Sequence, residues 1–459
     1  MRNTVCFAPR LALLGLLLFP ALAPAGPLKL PAYERRVLPN GLVLLVMPDH
    51  RLPLVQLHLV VKSGSTADPS GKEGLADLTA TLLKRGTATR TAAQVAGDVD
   101  FLGARLETGA DRDQSTVDME VLKRNLDQGL ALFGEVVTRP AFAPPEFDRA
   151  RSEVVGRLAQ LKDQPGEMAD RLFFAELFGS HPYAHPLEGT EASVKGLTAD
   201  DVRLFHRRHY LPNNAILAVV GDIEAAQAEQ LVTRALAGWE RGEAAAPVAG
   251  AVPPARQGLR IVLVDKPDAV QSEIRIGCLG APRRSPDYYP VQVADAILGG
   301  GFTSRLVTEI RVRRGLSYSP HSREAWYKDA GAAYVSVNTK NKSTLETLNI
   351  IFGILKDMRE VPLGTEELGR GRNYTNGLFP LRIEAPERLA GVIGGIEFYG
   401  LDPKWVDGFQ ERVGSTSSAD VLRVMKTYFC DSPLLVVVGK RAEIEKDLLT
   451  LGKVEFKPM

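Results

Sequence analysis

The chain has 459 residues, of which 45% are apolar and 24% are charged, and its formal net charge at pH 7 is +1. This length exceeds what one hydrophobic core usually supports, so the composition predicts a globular protein of at least two domains. No long run of Lys or Arg is present, which argues against nucleic-acid binding.

The N-terminus has the pattern of an export signal. Arg2 and Arg10 precede the apolar run LALLGLLLF, and the small-residue stretch PALAPAG follows it. Cleavage is expected between Ala25 and Gly26, so residues 1–25 are predicted to be a signal peptide. No later segment reaches about 18 consecutive apolar residues. We therefore expect a soluble, periplasmic mature protein without a membrane span.

The segment EGLADLTATLLKRGT, residues 73–87, is predicted to be an amphipathic helix. Four of its leucines fall at helical spacing and form one apolar stripe facing a core. Between them lie Asp77, Ala80 and Thr81, which contribute little to such packing. The pattern raises the question of what these three positions were for.

Strand-like runs alternate with long helices through the rest of the chain. Helical periodicity covers residues 92–107, 121–137, 145–163 and 166–178, and then 286–298, 303–314, 344–359 and 364–380. This alternation predicts an α/β or α+β protein with helices packed on sheets.

The two parts of the chain resemble each other at a nearly constant offset. Gly221 in YLPNNAILAVVGDI and Gly439 in YFCDSPLLVVVGKR lie 218 residues apart. VQLHLVV and VQSEIRI match at an offset of 215, and LADLTATLL and VADAILGGG match at 218. We interpret this as a tandem duplication.

The duplication predicts two similar halves, each a sheet covered by helices, that form a clamshell. The Ala-, Pro- and Gly-rich stretch at residues 242–258 reads as a linker. It separates an N-terminal half, residues 30–241, from a C-terminal half, residues 259–459.

Five segments, in order, resemble the pitrilysin/insulinase family of inverted-zincin peptidases, which includes mitochondrial processing peptidase. They are LPNGLVLLVMPDH, VVKSGSTADPSGKEGLADL, HPYAHPLEGTE, LPNNAILAVVGDI and LGGGFTSRLVTEIRVRRGLSYS. The likeness runs from about residue 33 to the C-terminus.

The resemblance implies that a zinc motif has been lost. Active members carry His-x-x-Glu-His on the first helix, where two His bind zinc and the Glu acts as the base. Here Asp77 and Thr81 stand at the His positions, and Ala80 stands at the Glu position. The third ligand, a downstream Glu, falls near Arg157 or Leu158. We therefore expect this chain to bind no zinc.

The second half keeps the family's other functional pair. After the Gly-rich turn Gly299–Gly301, a helix is expected to start at Thr303 or Ser304 and to stop at Gly315. Arg311 and Tyr318 match an Arg and a Tyr that, in the family, reach toward the substrate near the zinc of the opposite half. The three glycines are predicted to form a hinge or to approach the substrate closely. The alternative is that Arg311 belongs to a solvated basic helix end.

Other candidate sites were weighed. The Gly-rich turn is not followed by Gly-Lys-Ser/Thr, which argues against a phosphate loop. The pairs His181/His185 and His206/His209 lack further ligands at suitable spacing for zinc. Cys278 and Cys430 remain after signal cleavage, and the sequence leaves open whether they form a disulfide or two buried thiols.

In family members built from two short chains, one chain can carry the zinc while the other supplies the Arg and the Tyr, so the resemblance implies a non-catalytic, substrate-binding subunit of a heterodimeric zinc peptidase. Its partner is expected to be a homologous subunit that carries the zinc, and the substrate a peptide or unfolded polypeptide. A catalytically inert scaffold or peptide-binding protein of the same fold is the main alternative. A peptidase of different chemistry is the third, although no convincing Ser/His/Asp or Cys/His arrangement is visible.

Overall fold

The computed structural model describes residues 28–244, 250–254 and 257–458. The predicted signal peptide lies outside these ranges, as do residues 245–249 and 255–256 of the predicted linker. Within the described residues, two six-stranded sheets and the helices packed on them confirm the predicted mixed α/β class. No helix in this part of the chain is long and apolar enough to cross a lipid bilayer.

The first sheet has the strand order β1-β2-β6-β3-β5-β4, and the second has the order β12-β7-β11-β8-β10-β9. The strands of the first sheet are Glu34–Val37 (β1), Val43–Pro48 (β2), Leu54–Val61 (β3), Arg105–Ala110 (β4), Ser115–Leu122 (β5) and Ala215–Gly221 (β6). Those of the second are Arg260–Asp265 (β7), Gln271–Gly280 (β8), His321–Trp326 (β9), Gly331–Lys340 (β10), Leu434–Gly439 (β11) and Val454–Lys457 (β12).

The two sheets share one pairing pattern across five strands. In each, one parallel pair (β2 with β6, β7 with β11) is followed by antiparallel neighbours. The strands that matched in sequence, β3 with β8 and β6 with β11, occupy equivalent places. Only the outermost strand differs, because β1 is antiparallel to β2 whereas β12 is parallel to β7. The shared topology accords with an internal duplication.

The helices lie in two groups along the chain. Those before the linker are Leu75–Leu83 (α1), Ala92–Phe101 (α2), Leu126–Thr138 (α3), Pro144–Ala159 (α4), Pro165–Phe178 (α5), Glu191–Lys195 (α6), Ala199–His209 (α7) and Ala225–Ala235 (α8). Those after it are Tyr288–Asp295 (α9), Thr344–Glu360 (α10), Thr365–Leu378 (α11), Pro386–Tyr399 (α12), Phe409–Ser415 (α13), Ser418–Tyr428 (α14) and Arg441–Leu449 (α15). Two π-helical segments, Ala296–Gly300 and Val307–Arg313, belong to the second group.

Two of the expected helices are shorter than their sequence patterns. The segment 92–107 is helical only to Phe101, and the chain enters β4 at Arg105. The segment 121–137 begins in β5, and its helix starts at Leu126. In both places the apolar period changes between 3.6 and 2 within a few residues, so a window of helical length averages over the boundary.

One helix of each half packs on the sheet of the other half. The central strands β6 and β11 are buried along their whole length, which requires cover on both faces of each sheet. Helix α5, from before the linker, covers β8 and β11, and helix α12, from after it, covers β3 and β6. The apolar cores of the two halves are therefore built from both parts of the chain.

A buried ion pair accompanies this exchange. Arg275 on β8 is only 4% exposed, and its Nε donates to Asp170 of α5 at 2.5 Å. Its Nη2 donates to the carbonyl of Gly166 at 3.0 Å. Arg275 also pairs with Glu273 on its own strand at 3.3 Å, and its contacts with Asp170 and Gly166 connect β8 to α5.

Candidate functional site

The first helix is held at its N-terminus by a buried carboxylate. Asp68 accepts hydrogen bonds from the backbone N–H groups of Gly74 and Ala76, both at 2.8 Å. Gly74 has a φ of 95°, a left-handed conformation that glycine adopts without strain. These contacts satisfy N–H groups that the first helical turn leaves free and fix where α1 begins.

The three degenerate motif positions line one stretch of α1. Ala80 is fully buried, whereas Asp77 and Thr81 are partly exposed. Burial and the negative charge of Glu188 raise the pKa of Asp77 to about 6, while the positive charge of Arg157 opposes them. Arg157, one of the two residues expected near the third-ligand position, therefore lies close enough to Asp77 to act on it electrostatically.

The chemistry of this group does not fit zinc. A catalytic zinc site needs three protein ligands, usually His or carboxylate, and a base for the bound water. Here one of the expected positions carries a guanidinium, which repels a metal cation, and Ala80 has no acid–base function. In the described part of the chain, no group of three or more His, Cys, Asp or Glu side chains is placed to hold a metal ion.

The two histidines of α7 are packing residues. His206 hydrogen-bonds through Nε2 to the carbonyl of Val137 at 2.8 Å, and His209 hydrogen-bonds through Nδ1 to Ser63 at 2.9 Å. Burial lowers the pKa of both to about 4, so both are neutral at pH 7. Their ring nitrogens form hydrogen bonds within the first half of the chain.

His181 is also engaged locally. Its Nδ1 accepts the backbone N–H of Tyr183 at 3.1 Å, and its ring lies 4.4 Å from the ring of that residue. His185 follows a short 3₁₀ turn rather than a helix. His181 and His185 are therefore four residues apart in sequence but do not share one face of an α-helix.

The Gly-rich turn packs against its own half. A Cβ on Gly299 would lie 2.2 Å from the backbone nitrogen of Ser322, and one on Gly301 would lie 3.1 Å from the ring of Tyr374. The Tyr374 hydroxyl donates to the carbonyl of Gly300 at 2.9 Å. These close approaches explain why side chains are absent here, and they fix the start of the helix that carries Arg311.

The helix that carries Arg311 begins as an α-helix at Arg305 and continues as the π-helical segment Val307–Arg313. Its end is closed by Gly315, which has a φ of 61°, and by the Leu316 N–H, which donates to the carbonyl of Ile310 at 2.9 Å. Ser304 stands just before the helix as expected, but its hydroxyl is buried without a hydrogen-bond partner. It therefore does not cap the helix through its side chain.

The three arginines near this helix end have different partners. Arg313 and Arg314 both pair with Glu309. Among the described residues, Arg311 has no carboxylate partner; its guanidinium lies over two aromatic rings instead. The distances from its Cζ are 4.2 Å to the ring centre of Tyr318 and 5.7 Å to that of Phe302.

The aromatic members of this cluster are turned toward solvent. Tyr318 is 77% exposed and Phe302 is 79% exposed. Tyr318 stands before β9 rather than in it, on a segment anchored by the Ser317 hydroxyl, which donates to Asn338 at 3.1 Å. We call Phe302, Arg311 and Tyr318 the aromatic–arginine cluster. An unpaired guanidinium between exposed rings offers hydrogen-bond donors and apolar contact together.

Sequence reasoning did not identify Phe302. The residue follows three glycines and precedes two hydroxyl residues, so it sits in a turn where no packing role calls for a large ring. The sequence carried no clear signal for it, because single exposed apolar residues are common on protein surfaces.

Comparison with known proteins identifies two matching family models and several relatives. Residues 45–191 match the family model "Insulinase (Peptidase family M16)", and residues 196–374 match "Peptidase M16 inactive domain". An uncharacterized zinc protease of Mycobacterium leprae is 32% identical over 306 residues, which cover 66% of this chain and 68% of that protein. A non-peptidase homolog of Helicobacter pylori is 24% identical over 340 residues, covering 73% and 77%.

A solved structure has the same architecture. The peptidase M16 inactive domain from Pseudomonas fluorescens superposes with a TM-score of 0.83 at 25% sequence identity, over 89% of this chain and 98% of that one. The match extends over both sheets of the chain.

Proposed function

This chain belongs to the insulinase family, peptidase family M16, and we propose that it is a non-catalytic subunit of a heterodimeric zinc peptidase. In this proposal it holds no zinc of its own and supplies Arg311 and Tyr318 to the active site of a zinc-bearing homologous subunit. Its substrate is a peptide or an unfolded polypeptide.

The residues at the motif positions of α1 support the first part of the proposal, that this chain holds no zinc. Asp77, Ala80 and Thr81 replace the family's ligands and base, and Arg157 introduces a positive charge beside Asp77. The absence of a metal-binding group among the described residues is compatible with this. So is the description of the Helicobacter pylori relative as a non-peptidase homolog, although the Mycobacterium leprae relative is named a zinc protease.

The single observation that carries the second part is the state of Arg311. Its two basic neighbours share Glu309 as a partner, whereas the guanidinium of Arg311 lies against two exposed rings. A guanidinium and a phenol O–H are both suited to donate to a peptide carbonyl oxygen as negative charge develops on it.

The proposal includes export of the mature chain. Cys278 and Cys430, whose state the sequence left open, form a disulfide with a Cα–Cα distance of 6.1 Å. Disulfides persist in oxidising compartments such as the bacterial periplasm. The bridge therefore supports the export inferred from the N-terminal sequence.

The test uses the mature chain co-expressed with a homologous subunit that has an intact His-x-x-Glu-His motif. We expect Arg311→Ala and Tyr318→Phe each to lower kcat/KM for peptide hydrolysis by roughly a hundredfold, as is typical for loss of one donor to a developing oxyanion. Steady-state kinetics on the reconstituted complex measure this, with a sizing run to establish assembly.

Arg313→Ala is the matched control, because it removes a guanidinium from the same helix that is already paired with Glu309. It should leave kcat/KM close to the wild-type value. Equal effects of the substitutions at positions 311 and 313 would refute a specific role for the pair.

The second candidate is a peptide-binding scaffold without a part in catalysis. The exposed rings of Phe302 and Tyr318 favour it, since such a patch can bind a peptide by contact alone. In that case the Arg311 and Tyr318 variants would weaken peptide binding to the isolated chain, while turnover by the complex would stay at the wild-type rate.

A further inference from the structure

A cavity of about 470 Å³ lies in the C-terminal half, away from the aromatic–arginine cluster. It is formed by α12, the beginning of α9 and the chain segments next to them. Its lining residues are Arg283, Tyr288, Arg382, Arg388, Gly391, Val392, Gly395, Ile396, Tyr399, Leu401 and Trp405. The volume is within the range of small-molecule sites, about 300–1,000 Å³.

Arg283 is the central feature of this cavity. Its Cζ lies 4.1 Å from the ring centre of Tyr288, 4.7 Å from that of Trp405 and 5.9 Å from that of Tyr399. Its Nη1 is buried and has no hydrogen-bond partner. The three rings give the guanidinium cation–π contacts, but no acceptor among the described residues takes a hydrogen bond from its buried Nη1.

The charge around Arg283 makes the need for an anion stronger. Arg382 and Arg388 also line the cavity, both are exposed, and none of the described lining residues is Asp or Glu. Burial lowers the pKa of Arg283, and the positive charge of Arg382 adds to this effect. Three arginines therefore line one cavity whose described lining contains no carboxylate, although Arg388 also donates to the carbonyl of Leu381, and Asp111 and Asp113 act electrostatically on Tyr399.

A second arginine-lined cavity in the same half shows the contrast. It has a volume of about 490 Å³ and is also lined by three arginines, at positions 305, 314 and 370. There, however, Arg305 pairs with Glu367 at 2.8 Å and Arg314 pairs with Glu309. In that cavity the protein supplies its own anions, whereas around Arg283 it does not.

We propose that the cavity around Arg283 binds a small ligand with an anionic group, a carboxylate or a phosphate, attached to an aromatic or apolar body. The part of the Arg283 guanidinium that lines the cavity meets the anion, and Arg388 and Arg382 add charge at the rim. Tyr288, Tyr399 and Trp405 contact the apolar body. This site is independent of the peptidase-subunit proposal.

Isothermal titration calorimetry on the full mature chain at low salt tests the site. The probes are N-acetylphenylalanine, its uncharged amide, phenyl phosphate and inorganic phosphate. We expect saturable binding of at least one aromatic anion, and at least tenfold weaker binding of the amide and of inorganic phosphate. The ratio of N-acetylphenylalanine to phenyl phosphate affinity distinguishes a carboxylate from a phosphate ligand.

Arg283→Gln and Arg388→Gln should each weaken binding of the preferred aromatic anion at least tenfold. Arg284→Gln is the matched control, since this exposed neighbour does not line the cavity. Arg388 is exposed, so its variant decides the matter even if the Arg283 variant fails to fold. Absence of saturable binding, equal binding of the amide, or wild-type binding by the Arg388 variant would overturn the proposal.

Discussion

Asp77 and Arg157 stand at or near two positions where the family resemblance predicts zinc ligands, and their helices α1 and α4 pack together. The helix around Asp77 is still fixed by Asp68, and the helix around Arg157 still packs beside it. Burial and Glu188 raise the pKa of Asp77 to about 6, with Arg157 acting in the opposite direction. A carboxyl group and a guanidinium thus act on each other at positions where the family resemblance predicts zinc ligands.

Restoring only the first-helix motif should not restore function. We expect the triple variant Asp77→His, Ala80→Glu, Thr81→His to retain no stoichiometric zinc after gel filtration and to hydrolyse no peptide. The reason is that a third ligand is still missing and a guanidinium stands near its place. Elemental analysis and a peptidase assay measure these two outcomes.

Adding Arg157→Glu to that triple variant provides the comparison. It replaces a repelling charge with a carboxylate ligand, so zinc should bind at least tenfold more tightly than in the triple variant. One tightly held zinc in the triple variant itself, with hydrolysis that a chelator abolishes, would show that the ligand assignment near Arg157 is wrong.

Among the elements, α12 shows how closely a borrowed helix approaches its sheet. A Cβ on Gly394 would lie 3.0 Å from the ring of His58 on β3, whereas Gly391 and Gly395 on the same helix have open space at that position. His58 is itself held by Asp118 at 2.6 Å. The side chain that would have to move is therefore held by the neighbouring strand β5.

This difference predicts opposite results for the same substitution on one helix. Gly391→Ala and Gly395→Ala should each raise the free energy of unfolding by about 0.5–1 kcal/mol, because alanine favours the helix and restricts the unfolded chain. Gly394→Ala should give no gain or a loss, since its methyl group meets His58. Chemical unfolding at neutral pH measures all three, and an equal gain at position 394 would contradict the close packing of α12 on β3.

The sequence predicted much of this architecture but not the helix exchange. The constant offset between Gly221 and Gly439 identified equivalent strands, because a repeat is visible in local order. Nothing local tells α5 or α12 which of two similar apolar sheet faces it will cover. The π-helical segments were also missed, since their period cannot be separated from 3.6 over five to seven residues.

The sequence likewise predicted part of the candidate site, the residues Arg311 and Tyr318, but not the cavity around Arg283. The contact of Arg311 with Tyr318 joins residues seven apart, and the family pattern had already selected both. The cavity around Arg283 draws its lining from residues 283 to 405 on several elements. Such a site is created by tertiary packing, and no spacing in the sequence records it.

On the scale of the whole molecule, the exchange of α5 and α12 makes each half dependent on the other. The disulfide between Cys278 and Cys430 lies entirely within the C-terminal half. The disulfide therefore does not hold the two halves together, whereas apolar packing does. Helix α5 contributes Phe173 and Leu177 to a cluster with Val436 of the second sheet. The two halves fold as one structural unit despite the linker between them.

This dependence predicts how the halves behave when separated. Residues 30–241 alone should expose one apolar face of the first sheet, and residues 259–459 alone should expose one face of the second. Because each face is large and continuous, we expect either fragment alone to aggregate or to lack a cooperative thermal transition. Mixed during refolding, the two should form a one-to-one complex, since each then provides the helix that the other lacks. Size-exclusion chromatography with light scattering and thermal circular dichroism measure this, with the intact mature chain as the reference. A fragment that is monomeric alone, melts cooperatively and binds no hydrophobic dye would mean that the exchanged helix is dispensable to its sheet.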